Sequence, residues 1–143
     1  MTATYQPDLV TVSWNGLIIT GFAPDTFVTA TRNNDSWNLT VGSGGESTRA
    51  KSGDKSGRVE VTLLAASISN AALSAQVAID EATGAAVGPL GIKDLSGADA
   101  VVAGKAWIVK PADQEKANTE SNRVWIFEAG ELEIVNGGIV TAA

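Results

Sequence analysis

Residues 58–64 read Arg58-Val59-Glu60-Val61-Thr62-Leu63-Leu64, so polar and apolar side chains alternate along them. Successive side chains of a β-strand point to opposite faces, which puts Val59, Val61 and Leu63 on one face and the polar side chains on the other. This alternation predicts a strand with one face on a core and the other face exposed. Similar runs recur along the chain and predict a mainly β protein.

A hairpin is predicted near the N-terminus. Residues 9–14 and 17–22 are apolar-rich runs separated only by Asn15-Gly16. Asn-Gly supplies the positive φ angles that a two-residue hairpin turn requires. We therefore expect the two runs to pair as antiparallel strands.

Residues 27–41 predict a second hairpin. Two apolar-rich runs, 27–32 and 37–41, flank the sequence Asn-Asn-Asp-Ser at 33–36. These polar side chains favour turns because they hydrogen-bond to nearby backbone. The glycine-rich stretch that follows, at about 42–57, is expected to form an extended flexible loop.

One helix is predicted after the alternating strand. Residues 69–81 are rich in alanine and place apolar side chains at helical intervals, with Ser67 or Ser69 as the N-terminal cap. Short strands follow, and Gly130 in the last of them indicates a bulge or bend rather than an end. These strands lie at residues 90–94, 100–110, 123–128 and 132–135. The whole chain, 1–143, fits one domain, a β-sandwich or barrel with a flanking helix.

The composition excludes most enzyme designs. The chain has no Cys and no His, so it has no disulfide framework, thiolate nucleophile, histidine-based triad or Cys/His zinc site. We expect no enzyme activity, metal or cofactor. Residues 1–9 lack the pattern of a signal peptide, and no run approaches the ~20 apolar residues of a membrane span, so we expect synthesis in the cytoplasm and no membrane association.

Charge is unevenly distributed along the chain. The net charge is −6 and the pI is near 4.5, which disfavours attraction to nucleic acid. Four of the ten basic residues nevertheless lie close together, at Arg49, Lys51, Lys55 and Arg58. The segment after Arg123 carries acids instead, at Glu128, Glu131 and Glu133. Opposite charges on one molecule can support head-to-tail contact between copies, which can generate rings or stacks. On charge alone, a solvated hairpin tip is the favoured alternative.

Two other function classes are open on the residues alone. Glu131 and Glu133 would share a strand face about 7 Å apart, a separation that inverting glycoside hydrolases use, although exposed strand charges are the favoured interpretation of so common a spacing. Four tryptophans could stack on sugars in a carbohydrate-binding β-sandwich, although their apolar surroundings favour core positions. The tryptophans are Trp14, Trp37, Trp107 and Trp125.

The central segment resembles the phage tail tube protein family. The resemblance rests on Lys55-Ser56-Gly57-Arg58-Val59, which continues as Val61-x-Leu63-Leu64 into a helix containing Asn70-Ala71-x-Leu73-Ser74. A later run, Trp125-x-Phe127-x-Ala129-Gly130, and the order of elements add to it. The resemblance implies a β-sandwich subunit that forms hexameric rings, stacked into the tube of a contractile phage tail.

The resemblance also implies partners and surfaces. The partners are other copies of the chain, the sheath, baseplate and tape-measure proteins, and phage DNA that passes through without specific binding. An acidic or neutral lumen would repel DNA rather than bind it. We expect Asn38, Thr40, Glu60 and Thr62, which lie opposite the apolar positions of their strands, to face the lumen. The four basic residues Arg49, Lys51, Lys55 and Arg58 are expected to contact an adjacent ring.

Overall fold

The computed structural model describes residues 10–24, 27–95, 97–116 and 121–137. Within them the chain forms ten strands and one helix, so the predicted mainly β class with a flanking helix is confirmed. In chain order they are β1 Val10–Trp14, β2 Leu17–Ile19, β3 Val28–Arg32, β4 Trp37–Val41, β5 Ser47–Lys51, β6 Gly57–Leu64, α1 Ser69–Thr83, β7 Gly88–Asp94, β8 Ala100–Ile108, β9 Asn122–Ala129 and β10 Glu133–Val135.

Eight strands form one antiparallel sheet that curls towards closure. Its order is β2-β1-β7-β8-β9-β6-β3, and β10 also pairs with β8. The chain after β2 returns to β6, where Phe22 bridges Leu63. Ala23 N–H donates to the Thr62 carbonyl at 3.0 Å, and Leu64 N–H donates to the Gly21 carbonyl at 2.9 Å. These bonds join the start of the sheet to β6 and give it a barrel-like shape.

The first predicted hairpin is confirmed. Trp14 pairs with Leu17, and the two residues between them are Asn15 with φ 51° and Gly16 with φ 81°. Two successive positive φ angles define the turn type whose twist matches that of the flanking strands. The turn therefore sets the register of β1 against β2.

The core lies between the inner faces of the sheet. In β6 the predicted alternation is confirmed, because Val59, Val61 and Leu63 are buried while Arg58 and Glu60 are exposed. Trp14 and Phe127 meet edge to face, with ring centroids 5.3 Å apart. Every described buried side-chain nitrogen or oxygen atom has a hydrogen-bond partner.

The helix α1 covers one side of this core. Leu73 and Val77, one helical turn apart, are buried against it. The residue at the N-cap is Ile68, which makes no side-chain cap, whereas Ser67 Oγ accepts from the Ser69 N–H at 3.2 Å. Gly84 ends the helix in the left-handed conformation and donates its N–H to the Asp80 carbonyl at 2.7 Å.

The second predicted hairpin is wrong in its pairing. Strand β3 pairs with β6, and β4 pairs with β5, so residues 27–32 and 37–41 are not partners. The flexible loop expected at about 42–57 instead contains β5 and the start of β6. One long hairpin runs out of the barrel through β3 and β4 and returns through β5 and β6, with its reversal at 42–46. Asn-Asn-Asp-Ser at 33–36 is the position where the hairpin leaves the barrel.

Gly130 lies at a bend, as predicted, but the prediction that no strand ends there is wrong. Strand β9 ends at Ala129, which pairs with Ala106 of β8, and β10 begins at Glu133, which pairs with Val102 of the same strand. Glu133 lies four residues after Ala129, and Val102 lies four residues before Ala106. Strand β10 therefore continues the pairing register of β9 on β8 after a short interruption.

Candidate functional site: a projecting hairpin arm

The outer part of the long hairpin, residues 37–51, projects from the barrel, and we call it the arm. Strands β4 and β5 pair only with each other among the described strands. Every residue from Asn33 to Lys51 is exposed. An isolated two-stranded hairpin is only marginally stable in water, so an arm of this kind is a candidate for docking on another surface.

The two faces of the arm differ in chemistry. Residues directly opposite in an antiparallel pair share a face. One face, the apolar-basic face, holds three large apolar side chains and two cations, namely Trp37, Leu39, Val41, Arg49 and Lys51, together with Ser47. The other, the neutral face, carries Asn38, Thr40, Thr48 and Ala50. Leu39 is 70% exposed and Val41 is 60% exposed, so the described residues leave the apolar-basic face uncovered.

Arg49 is placed by Trp37. Its guanidinium carbon lies 3.9 Å from the centroid of the indole ring across the hairpin. A cation over an aromatic ring at an exposed site contributes about 0.5–1 kcal/mol. Neither Arg49 nor Lys51 makes an ion pair within the described residues, so both cations of the arm are available to an acidic partner.

The reversal of the arm is a glycine-rich turn. Gly42 N–H donates to the Glu46 carbonyl at 2.7 Å, and Gly45 N–H donates to the Gly42 carbonyl at 3.0 Å. Gly45 has φ 88°, a conformation that side chains other than glycine rarely adopt. Part of the glycine-rich stretch that suggested a flexible loop therefore forms a tight turn, in which Gly45 takes the left-handed conformation.

The root of the arm, residues 33–36 and 52–56, is held by polar contacts. Asn33 Nδ2 donates to Ser56 Oγ at 3.1 Å, and Asn34 Nδ2 donates to the Asp54 carboxylate. Hydrogen bonds from the side chain and backbone of Ser56 lower the pKa of the Asp54 carboxyl. Arg32 pairs with Gly57 and Trp37 pairs with Lys51. Arg32 and Trp37 are five residues apart, whereas Lys51 and Gly57 are six apart, so the returning strand has one extra residue, a bulge, in the root.

Ion pairs at the root and in the adjoining part of β6 engage two of the predicted contact residues, Lys55 and Arg58. Arg58 Nη2 lies 2.6 Å from Glu128 Oε1, and Lys55 Nζ lies 3.9 Å from Glu131 and 3.8 Å from Glu133. The hypothesis of head-to-tail contact assigned these acids to a neighbouring copy, whereas in the structure they face cations of their own chain. Such exposed pairs contribute about 0–1 kcal/mol each.

Arg32 completes this cluster and was not among the predicted site residues. Its Nε donates to the Leu132 carbonyl at 2.9 Å, and its Nη2 lies 3.6 Å from Glu133 Oε2. The end of β3 is thereby tied to β10, which fixes the place from which the arm leaves the barrel. Only the tertiary pairing of distant strands brings these residues together.

The predicted lumen residues lie on two sheets. Glu60 and Thr62 point to the outer face of β6 in the barrel, where Glu60 is exposed and Thr62 is half-buried. Asn38 and Thr40 lie on the neutral face of the arm. The structure therefore separates the four into two pairs on different elements.

The structure also locates the residues behind the two alternative functions, namely the glutamates of a glycoside hydrolase and the tryptophans of a carbohydrate-binding protein. Glu131 and Glu133 both lie beside Lys55 and are exposed at the root, rather than converging in a cleft. Trp14 and Trp125 are buried, as expected, and Trp107 is half-buried. The expectation of a core position is wrong for Trp37, which is 45% exposed on the arm. Among the described residues, no group of acids is arranged to hold a metal ion.

Comparison with known proteins assigns the family. The family model described as Bacteriophage PhiTE tail tube protein matches residues 19–137. The chain belongs to this tail tube family. Among solved structures, the tail tube chain is similar to the tube-terminating cap of the anti-feeding prophage, with a TM-score of 0.61 and 8% identity over 94% of this chain and 93% of that one. No curated protein matches the sequence.

Membership of the tail tube family indicates the general role of this protein. It is a structural protein of the phage tail, and so of the virion, that assembles with copies of itself and associates with other tail parts. In the described part of the chain, no helix is both long and apolar enough to cross a membrane.

Proposed function

We propose that this tail tube protein forms hexameric rings that stack into the tube of a contractile phage tail and conduct DNA during ejection. The subunit is made in the host cytoplasm, and the tube meets the sheath, baseplate and tape-measure proteins. The observation that carries the proposal is the arm, because a two-stranded hairpin with an exposed apolar face gains stability when a neighbouring subunit covers it.

The arm makes the contact between subunits. Arg49 and Lys51 lie beside Leu39 on its apolar-basic face and meet acids of an adjacent subunit. Lys55 and Arg58 contribute at the root, where their ion pairs with Glu131, Glu133 and Glu128 fix the direction in which the arm leaves the barrel.

Two polar surfaces of the subunit face the lumen of the tube. Glu60 and Thr62 line it from the outer face of β6, and Asn38 and Thr40 line it from the neutral face of the arm. The neutral face has no cation, and the whole chain carries a net charge of −6. Such a wall does not attract the phosphate backbone, so DNA passes without being held.

The test removes the apolar contacts of the arm. Burial of a Leu or Val side chain contributes about 1.5–3 kcal/mol, so L39S/V41S should raise the concentration needed for assembly at least about tenfold. Negative-stain microscopy and sedimentation velocity measure the tubes, and near-ultraviolet circular dichroism checks that the barrel is folded.

The matched control is N38S/T40S, which changes the neutral face of the same strand and should assemble like the wild type. If L39S/V41S forms tubes at the wild-type concentration, the arm does not carry assembly. If the wild type sediments as a monomer at every concentration, the proposed function itself fails.

A further inference from the structure

A cleft of about 500 Å³ opens between β3 and the ends of β1, β7, β8 and β10. Most of the residues that line it have apolar side chains, among them Val10, Val28, Ala30, Ile92, Val101 and Ile134, and backbone polar atoms also reach its surface. Asp94 and Asp99 also line it, and Asp99 Oδ1 accepts from the Gly137 N–H at 2.7 Å. Ligand pockets of proteins have volumes of roughly 300–1,000 Å³, so this cleft has room for several side chains.

We propose that the cleft receives the apolar-basic face of the arm of a neighbouring copy. This inference rests on the proposed function and names the receptor for the arm. Leu39 and Val41 enter among the apolar lining residues, and Lys51 approaches the carboxylates of Asp94 and Asp99. The two surfaces are chemically complementary, because the arm presents apolar side chains next to cations and the cleft presents apolar side chains next to carboxylates.

Two observations favour the arm of a second copy, rather than the chain's own arm, as the occupant of the cleft. The chain's own arm does not fill the cleft, because Leu39 and Val41 are 70% and 60% exposed. The acids Glu128, Glu131 and Glu133 already face Arg58 and Lys55 of their own chain. The cleft is the place where carboxylates lie beside an apolar wall that can bury the arm.

Disulfide trapping tests the contact directly, because the chain has no cysteine of its own. In L39C/V135C one thiol lies on the arm and the other at the cleft, where Val135 is 55% exposed. Assembled protein is treated with oxidised glutathione and analysed by non-reducing electrophoresis. L39C/V87C is the control, with its second thiol on an exposed valine outside the cleft, and V41C/V135C replaces the first pair if that protein does not fold.

We expect covalent dimers and longer chains from L39C/V135C at least about tenfold more abundant than from the control, since a disulfide forms only when the two Cα atoms come within about 7 Å. Tubes that form without these products overturn the cleft as the receptor and leave the proposed function standing. Absence of tubes from the wild-type protein overturns both proposals.

Discussion

At the residue scale, Asp54 shows how the arm root depends on single hydrogen bonds. Its carboxyl accepts from the Ser56 hydroxyl and amide and from Asn34, which holds its pKa below the ordinary 3.8. A lowered folded-state pKa stabilises the protein above the unfolded pKa, and this stabilisation is lost as the pH falls through the folded value. By NMR titration we expect a pKa below 3.8 for Asp54, raised by S56A and unchanged by S43A at the arm tip. A wild-type value of 3.8 or higher contradicts the assigned hydrogen bonds.

At the element scale, the junction of β6 with the chain before β10 depends on close approach at Gly57. A Cβ at this buried residue would clash with the Leu132 side chain and lie 3.0 Å from the Thr31 carbonyl oxygen. Such overpacking destabilises by about 1–3 kcal/mol, so G57A should lower the urea midpoint of unfolding. Gly53 is the control, because a Cβ there meets nothing within 4 Å and G53A should leave the midpoint unchanged or slightly higher. Equal midpoints for both variants would show that Leu132 does not pack on Gly57.

At the scale of the whole molecule, assembly should depend on ionic strength. R49E/K51E reverses both cations of the arm and should reduce the yield of tubes more at low salt than at high salt, because the Debye length falls from ~30 Å at 0.01 M to ~3 Å at 1 M. K105E/K110E makes the same change in net charge elsewhere and serves as the control. Sedimentation across a salt series measures the yield, and a deficit that does not vary with salt argues against the electrostatic part of the contact.

The prediction of the fold succeeded where neighbouring residues carry the information. Alternation at 58–64 and Asn15-Gly16 describe local geometry, and both were confirmed. The prediction failed at residues 33–36, whose side chains suit a turn but here bond across the hairpin to Ser56 and Asp54. The sequence offered two possible positions for the hairpin turn, the polar residues at 33–36 and the glycines at 42–45. Choosing between them requires knowing which strands pair.

The candidate site was predicted in part. The basic residues Arg49 and Lys51 do lie together on an exposed element, but Lys55 and Arg58 are engaged by acids far away in sequence. Trp37 was assigned to the core because its strand is apolar, although the strand leaves the barrel. The motif residues Gly57, Asn70 and Trp125 serve the fold: Trp125 Nε1 donates to Asn70 Oδ1 at 2.9 Å, joining β9 to the helix.

Most strands, the helix and the first turn could be predicted from the sequence, because each follows from side chains close together along the chain, whereas β5 was missed. The composition alone excludes cysteine and histidine chemistry. Only the tertiary structure decided that β4 and β5 leave the barrel, that the C-terminal acids face Lys55 and Arg58, and that an apolar cleft opens beside two aspartates. The reason is physical: burial and ion pairing depend on distances between residues, and alternation along a strand is the same whether the strand lies in a barrel or projects from it.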